Sequence, residues 1–267
     1  MTTGLIVMAT GRYASFVPAF IESAREHVSD LHRVFALGED PDVGRVSPLI
    51  EWLPWGHLPW PYPTLLRYHA ITAHRGRLEA VDHLVHMDVD MRIEQRCDFS
   101  QVDGLFAVEH PWFVGADPGD LPYERRAASK TYCSPTESSQ YFCGGVQGGT
   151  SRSYLDACLQ MSRWIDADLA NGLVPVWHDE SAWNRWCSEH SPELILPHTY
   201  CWPETKVGAT PIIVALDKNH GYFRATSTWQ AAVARVRPHV AVVRRFVERS
   251  ARRVLRRLSI SLTRRRT

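Results

Sequence analysis

Two aspartates one residue apart are the first residues whose types and spacing suggest chemistry. Asp88 and Asp90 close an apolar run in which Val81, Leu84, Val85 and Met87 read as a buried strand. A strand ending in two carboxylates sets hard oxygen ligands at the carboxyl edge of a sheet, where open α/β sheets take their ligands. Two carboxylates are a poor cage for Mn²⁺ or Mg²⁺, and such ions complete their shell with water and substrate phosphates. The pair therefore points to a metal–diphosphate site, with an ordinary turn as the alternative. A second acidic pair, Asp179 and Glu180, follows Trp177 and His178 at a loop-to-helix junction. Acids there are favoured by the helix dipole, or they offer a carboxylate to a sugar-sized site; the residues alone leave both open. Tyr141 to Thr150 holds two glycine pairs, Gly144-Gly145 and Gly148-Gly149, which let something approach the backbone. The GKS/T ending of a phosphate loop is absent, so a nucleotide phosphate or a flat-lying sugar nucleotide are both options. Arg67 could be a solvated face or could reach the carboxylates or phosphates at the sheet edge, and Lys218 with Arg224 past the last strand could close over a diphosphate.

The elements that must position these groups follow from periodicity. Gly4 to Ala9 reads as a strand, Ser15 to His27 as a helix with Phe16, Phe20 and Ala24 on one face, and Arg33 to Leu37 as a second strand. Strand–helix–strand implies a parallel pair with a right-handed crossover, hence an α/β sheet. No GxGxxG follows the first strand, so this is not a dinucleotide fold. Residues 48–63 mix Trp52, Trp55, Trp60 and Tyr62 with five prolines. They are expected to form a loop packed on the core, or one that stacks on sugars. Thr64 to His74 reads as a helix carrying Arg67, and residues 104–109 as a strand. Residues 115–140 read as a long surface excursion in which Tyr123-Glu124-Arg125-Arg126 is solvated charge. A helix from Thr150 to Leu169, a helix through Trp183 and Trp186, and strands at 194–196 and 212–216 complete the pattern.

Composition places limits on function. Of 30 basic and 29 acidic residues, twelve arginines and one acid, Glu248, lie from Trp229 onward, leaving an acidic body and a basic tail. In that tail Val240, Val243, Val247, Ala251, Val254 and Leu258 share a helical face, so a basic amphipathic helix at an anionic membrane surface is expected. Nucleic acid is not expected as a partner, since the body is acidic and no binding motif is present. The six cysteines contain no CxxC pair, which fits free thiols in a reducing cytoplasm. Leu5 to Ala9 is too short for a signal peptide, and no apolar run approaches the length of a span.

Taken together, the motifs resemble glycosyltransferase family 6, the retaining family of the histo-blood-group A and B transferases and α-1,3-galactosyltransferase. The similarity runs from about Leu5 to Arg224. It rests on ANGLVPVWHDES at 170–181, HMDVDM at 86–91, YERR at 123–126, the glycine pairs at 144–149, and KNH with Arg224. The resemblance implies a GT-A fold with a mixed, mainly parallel sheet. A nucleotide-sugar part at about 1–95 would continue into an acceptor part at about 96–228, with the basic tail at 229–267. It implies transfer of GalNAc or Gal from the UDP-sugar to the 3-hydroxyl of a β-galactoside. By position, Met8, Ala9, Thr10 and Tyr13 surround the uridine, Val89 touches the ribose, and Arg67 meets the donor sugar or nucleotide. Asp88 and Asp90 hold Mn²⁺. Cys143, Gly144 and Gly145 border the donor sugar, Asp179 binds its hydroxyls, and Glu180 lies beneath the anomeric carbon. His110 and Trp177 contact acceptor galactose, and Lys218 and Arg224 clamp the diphosphate.

Some positions depart from the family pattern. The membrane anchor and stem of animal members have no counterpart here, and Pro122 and Pro203 stand where a threonine and an aspartate touch acceptor. The two aspartates are kept, which leads us to expect metal dependence. Gly145 and Cys143 are small enough to expect that GalNAc is accepted at least as well as Gal. Glu180 suits a nucleophile or an ion-pair partner for an oxocarbenium-like centre. A non-catalytic glycan-binding protein on the same fold is the alternative.

Overall fold

Alternation along each strand explains the architecture. In the computed structural model, which describes residues 1–137, 139–225, 227 and 230, successive strand residues enter two different cores. The strands of the first part are β1 (Thr3–Met8), β2 (Leu31–Gly38), β3 (Ile50–Pro54), β4 (His83–Met87) and β5 (Met91–Ile93). They continue with β6 (Leu105–Glu109), β7 (Phe142–Thr150), β8 (Leu194–Leu196), β9 (Trp202–Pro203) and β10 (Ile213–Ala215). The helices are α1 (Val17–His27), α2 (Tyr62–Leu65), α3 (Arg67–Ala73), α4 (Arg75–Leu78), α5 (Ser151–Ala170) and α6 (Asp179–Glu189). Leu5, Val7, Val34, Ala36, Val85, Met87, Phe106 and Val108 pack with α1 on one face of the sheet. Ile6, Phe35, Leu37, Leu84, Leu105 and Ala107 pack on the other, with residues of α3, α5 and α6. Both faces are covered, and so the strands read as continuous apolar runs rather than alternating ones.

The main sheet has the order β3-β2-β1-β4-β7-β6-β8. β1, β2, β3 and β4 are mutually parallel, and β8 runs parallel to β6. β7 alone is antiparallel to its neighbours β4 and β6. The expected mixed, mainly parallel sheet flanked by helices is therefore present. A second sheet, β5-β10-β9, carries the chain on from Asp90. Strand order reverses direction at β1, whose neighbours are β2 and β4. The carboxyl ends of β1 and β4 thus border a topological switch point, the usual ligand crevice of such sheets.

Three local expectations change. Residues 50–54, read as loop, are the edge strand β3, paired with Val34 to Gly38; an edge tolerates the terminal Pro54 because one side needs no partner. The helix expected over Thr64–His74 is broken into α2 and α3, with Leu66 (φ −99°, ψ 18°) between them. The glycine pair at 148–149 admits neighbouring chain rather than a ligand. A Cβ on Gly148 would lie 2.3 Å from Leu84 O, and one on Gly149 would lie 2.0 Å from Gly104 O.

The chain divides into two compact units, Met1–Asp217 and Lys218–Thr267. In the second, the short helix α7 (His220–Phe223) is capped by Asn219, whose side chain accepts from the Tyr222 amide. The amphipathic helix expected beyond Trp229 lies outside the described residues. All six cysteines are free and buried. Among the described residues no helix is long and apolar enough to cross a membrane.

Candidate active site

The site is assembled from the carboxyl end of β4, the strand β7, and the first turns of α3 and α6. Arg67 opens α3 and is 3% exposed. Its Nη2 donates to Asp88 Oδ1 at 2.7 Å, and its Nη1 reaches Asp179 Oδ2 and Gly144 O, each at 2.8 Å. Burial alone would lower the pKa of this guanidinium, but Asp179 and Asp88 beside it outweigh that and raise it. A buried cation is tolerable only when paired and hydrogen-bonded, which these partners provide. Arg67 therefore fixes three parts of the site to one another: the end of β4, the strand β7 and the start of α6.

Glu180 sits in the first turn of α6. Its Oε2 accepts from the Gly144 amide at 2.7 Å, and its Oε1 accepts from the Tyr141 hydroxyl at 2.9 Å. Gly144 lets Glu180 approach closely, since a Cβ there would lie 3.1 Å from Glu180 Cβ, tighter than an ordinary contact. Burial pushes Glu180 up to about 7, against the opposing pull of the Gly144 amide and Tyr141 hydroxyl. Burial likewise raises Asp179 to about 6, opposed by Arg67. Asn184, one turn further along α6, bonds both the amide and the carbonyl of Phe142 at 2.8 Å, so α6 is keyed into β7.

The loop before α6 is held from outside. His178 has φ 54° and ψ −119°, a conformation that non-glycine residues seldom adopt. Trp177 N donates to Ser181 Oγ at 3.0 Å, and the Trp60 ring meets His178 edge-on at 5.1 Å. Glu124, expected to be solvated, is 2% exposed. Its carboxylate accepts from the Val176 amide at 2.9 Å and pairs with Arg126, whose Nη2 also donates to Val174 O at 2.6 Å. A four-residue charge run looks like surface because nothing in its local pattern reveals a distant backbone that needs partners.

The other expected positions fall as follows. Met8 ends β1, while Ala9 and Thr10, just past it, are buried. Tyr13 lies in the 3₁₀ turn 11–16, with its ring 6.2 Å from Phe16. Val89 and Cys143 are buried in the first core, and Asp90 is 5% exposed. His110 has its ring 5.7 Å from that of Tyr141, and Trp177 is 49% exposed. Gly145 opens towards protein, since a Cβ there would lie 2.6 Å from Met91 Cε and 3.1 Å from Asp88 Oδ2. Lys218 and Arg224 belong to the second unit, flanking α7. Tyr141, Asn184, Tyr68, whose hydroxyl donates to Asp179 O at 3.3 Å, and Gln147, whose Nε2 donates to Gly144 O at 2.9 Å, were not anticipated from sequence as site residues. Tyr141 was legible only as the first residue of the glycine-rich stretch.

Among the described residues no group of three or more His, Cys, Asp or Glu side chains forms a metal cage. Asp88 and Asp90 offer hard oxygen donors only. That donor set fits Mn²⁺ or Mg²⁺ completed by water and phosphate oxygens, and not a zinc site built from nitrogen and sulfur.

Residues 59–225 match Glycosyltransferase family 6. The chain is 30% identical over 239 residues to Histo-blood group ABO system transferase 2 of Rattus norvegicus, covering 84% of this chain and 71% of the relative. It is 29% identical over 238 residues to Histo-blood group ABO system transferase 1 of the same organism, covering 84% and 68%. It is 29% identical over 216 residues to Globoside alpha-1,3-N-acetylgalactosaminyltransferase 1 of Homo sapiens, covering 77% of this chain and 62% of the relative's length.

Proposed function

The chain belongs to glycosyltransferase family 6, and from that premise we propose that it moves GalNAc or Gal from the UDP-sugar to the 3-hydroxyl of a β-galactoside, with retention. The observation that carries this reading is the seating of Glu180. A carboxylate fixed by a backbone amide and a tyrosine hydroxyl, beside the Arg67–Asp88–Asp179 cluster, suits stabilisation of positive charge at a sugar carbon.

The roles of this chain's residues follow from their places. Asp88 and Asp90 would hold a divalent ion, which when bound supplies positive charge to the departing diphosphate. Arg67 holds Asp88 and Asp179 in register, so both carboxylates are preorganised before substrate arrives. Asp179 would orient donor hydroxyls. Glu180 would face the anomeric carbon, as nucleophile or as ion-pair partner. Met8, Ala9, Thr10, Tyr13 and Val89 would line the nucleoside, and Cys143, Gly144 and Gly145 the donor sugar. His110 and Trp177 would contact the acceptor galactose, and Lys218 and Arg224 would answer the diphosphate. His110 is neutral in this setting, because burial and then the charge of Lys206 hold it down at about 4. With Nδ1 accepting from the Trp112 amide, Nε2 carries the proton and can donate one hydrogen bond to a sugar hydroxyl. On sequence charge alone, the arginine-rich tail is assigned to an anionic membrane surface.

The deciding experiment measures UDP release from UDP-GalNAc and UDP-Gal, with and without Mn²⁺, across a panel of galactosides. Metal-dependent release stimulated by β-galactosides is expected. No UDP release from either donor with any galactoside would return the chain to a glycan-binding role.

A further inference from the structure

Beside the carboxylate centre lies a surface that the transfer itself leaves unused. Trp112 is 59% exposed, a large apolar side chain that folding normally covers. The ring is nonetheless firmly held. Lys206 Nζ sits 4.7 Å from the Trp112 centroid and 4.9 Å from that of Trp202, and it donates to Pro111 O at 2.5 Å. Trp202 is buried, and its Nε1 donates to Lys206 O at 2.7 Å, which closes the 202–206 segment on itself. A lysine fixed in this way has already lost most of its rotamer freedom in the folded protein. The ammonium lies over the Trp112 ring, so an aromatic surface and a cation are preorganised together, which lowers the cost of binding.

The surface belongs to the rim of the same centre. Trp112 N donates to His110 Nδ1 at 3.3 Å, the His110 and Tyr141 rings are 5.7 Å apart, and Tyr141 donates to Glu180 at 2.9 Å. These short steps lead from the carboxylate to the backbone of Trp112, whose side chain is the exposed ring. Nearby acids are directed elsewhere. Glu204 Oε2 accepts from the Asp217 amide at 2.9 Å, and Glu109 faces His198 at 3.6 Å.

We propose that Trp112 and Lys206, backed by Trp202, form a subsite for an acidic sugar of the hexuronate class, next to the residue that receives the transferred sugar. The apolar face of that sugar stacks on the exposed ring of Trp112, and its carboxylate meets the Lys206 ammonium. The assignment rests on the transferase reading for the identity of the neighbouring galactoside, but binding here needs no turnover.

Calorimetric titration of the full chain with two disaccharides tests it: a β-galactosyl glucuronate and a β-galactosyl glucose. Wild type is expected to bind the acidic one about tenfold more tightly, the effect of one charge-assisted hydrogen bond. Lys206→Gln should abolish that preference, and Lys206→Arg should keep it. Trp112→Ala should weaken both ligands by about tenfold, with Trp112→Phe intermediate, since stacking requires a ring. Circular dichroism matching wild type qualifies each variant, and the two conservative variants decide the matter if either of the others misfolds. Equal affinity for the two disaccharides in wild type overturns the proposal. So does a preference that survives in Lys206→Gln, or the absence of saturable binding of the acidic disaccharide. Transfer by wild type to methyl β-galactoside reads the reaction separately, so failure of the transferase reading and failure of the subsite are told apart.

Discussion

Glu180 combines two properties that pull in opposite directions. Burial pushes its pKa up to about 7, while the Gly144 amide and the Tyr141 hydroxyl hold the ionised form in place. A glutamine can accept from the Gly144 amide with its oxygen and donate to the Tyr141 hydroxyl with its nitrogen, but it has no charge to give. Glu180→Gln is therefore expected to lower turnover by at least ~10² while UDP still binds; near-normal turnover in a UDP-release assay would remove Glu180 from its role. The same substitution has a stability signature in the metal-free protein. The folded pKa lies above the ordinary value of 4.5, so between those two values the unfolded chain has ionised and the folded one has not. Stability of the wild type must then fall as pH rises through that window, by up to about 3 kcal/mol. Urea unfolding should show Glu180→Gln gaining on wild type from about pH 4.5 to pH 7 and running parallel above it; a constant difference across the window would contradict the shift. For Asp88→Asn, loss of a hard anionic ligand should abolish the Mn²⁺ enhancement of UDP affinity, measured by calorimetry with and without chelator. An enhancement equal to wild type would exclude Asp88 as a ligand.

At the scale of elements, the start of α6 depends on a brace that lies more than fifty residues upstream. Glu124 and Arg126 hold the backbone at Val174 and Val176, just ahead of the strained His178 and of Asp179 and Glu180. Glu124→Gln should cost about 1–3 kcal/mol in urea unfolding, as expected for disturbing a buried, charge-assisted network. It should also lower kcat about tenfold with little change in donor KM, because it loosens the orientation of Glu180 rather than removing a substrate contact. An effect on KM alone would place Glu124 in donor binding instead. The central strands β1, β4 and β6 were legible from sequence because each is buried on both faces and reads as an apolar run, and α5 because its apolar positions recur and Asn171-Gly172 stops it, with Gly172 at φ 69°. β3 was hidden by the surrounding prolines. The break at Leu66 was hidden because no proline or glycine marks it. Asp88, Asp90 and Glu180 were visible as residue types in suggestive places, and Arg67 as a cation able to reach carboxylates at the sheet edge, as it does at Asp88, but the full set of its partners was not visible. Its partners come from positions 88, 144 and 179, and only the crossing of β4, β7 and α6 brings them together. The donor argument from Gly145 also changes at this level. Its open side is shared with Met91 and Asp88, so Gly145→Ala would press on the Met91 side chain and on the Asp88 carboxylate before it bears on sugar preference.

At the scale of the whole molecule, charge is distributed in a way that no single element reveals. Of the chain's 29 acidic residues only Glu248 lies from Trp229 onward, whereas twelve of its 30 basic residues do, all of them arginine. The near-neutral total therefore conceals a body and a tail of opposite sign. Long-range attraction to an anionic surface depends on local charge density rather than on the total, because fields decay over roughly 8–10 Å at ordinary salt. Each arginine close to an anionic lipid surface contributes about 1 kcal/mol, so a segment with twelve retains substantial attraction even when only a few engage at once. The body by itself is repelled by such a surface. Sedimentation with liposomes separates the two contributions. The full chain is expected to pellet with vesicles rich in anionic lipid and not with neutral ones, and to be released as salt is raised. A chain ending at Ser227 should remain in the supernatant under every condition. If both versions pellet equally, the body carries the binding. If neither pellets at low salt, the arginines serve the protein itself, and the enzyme meets its acceptors in solution.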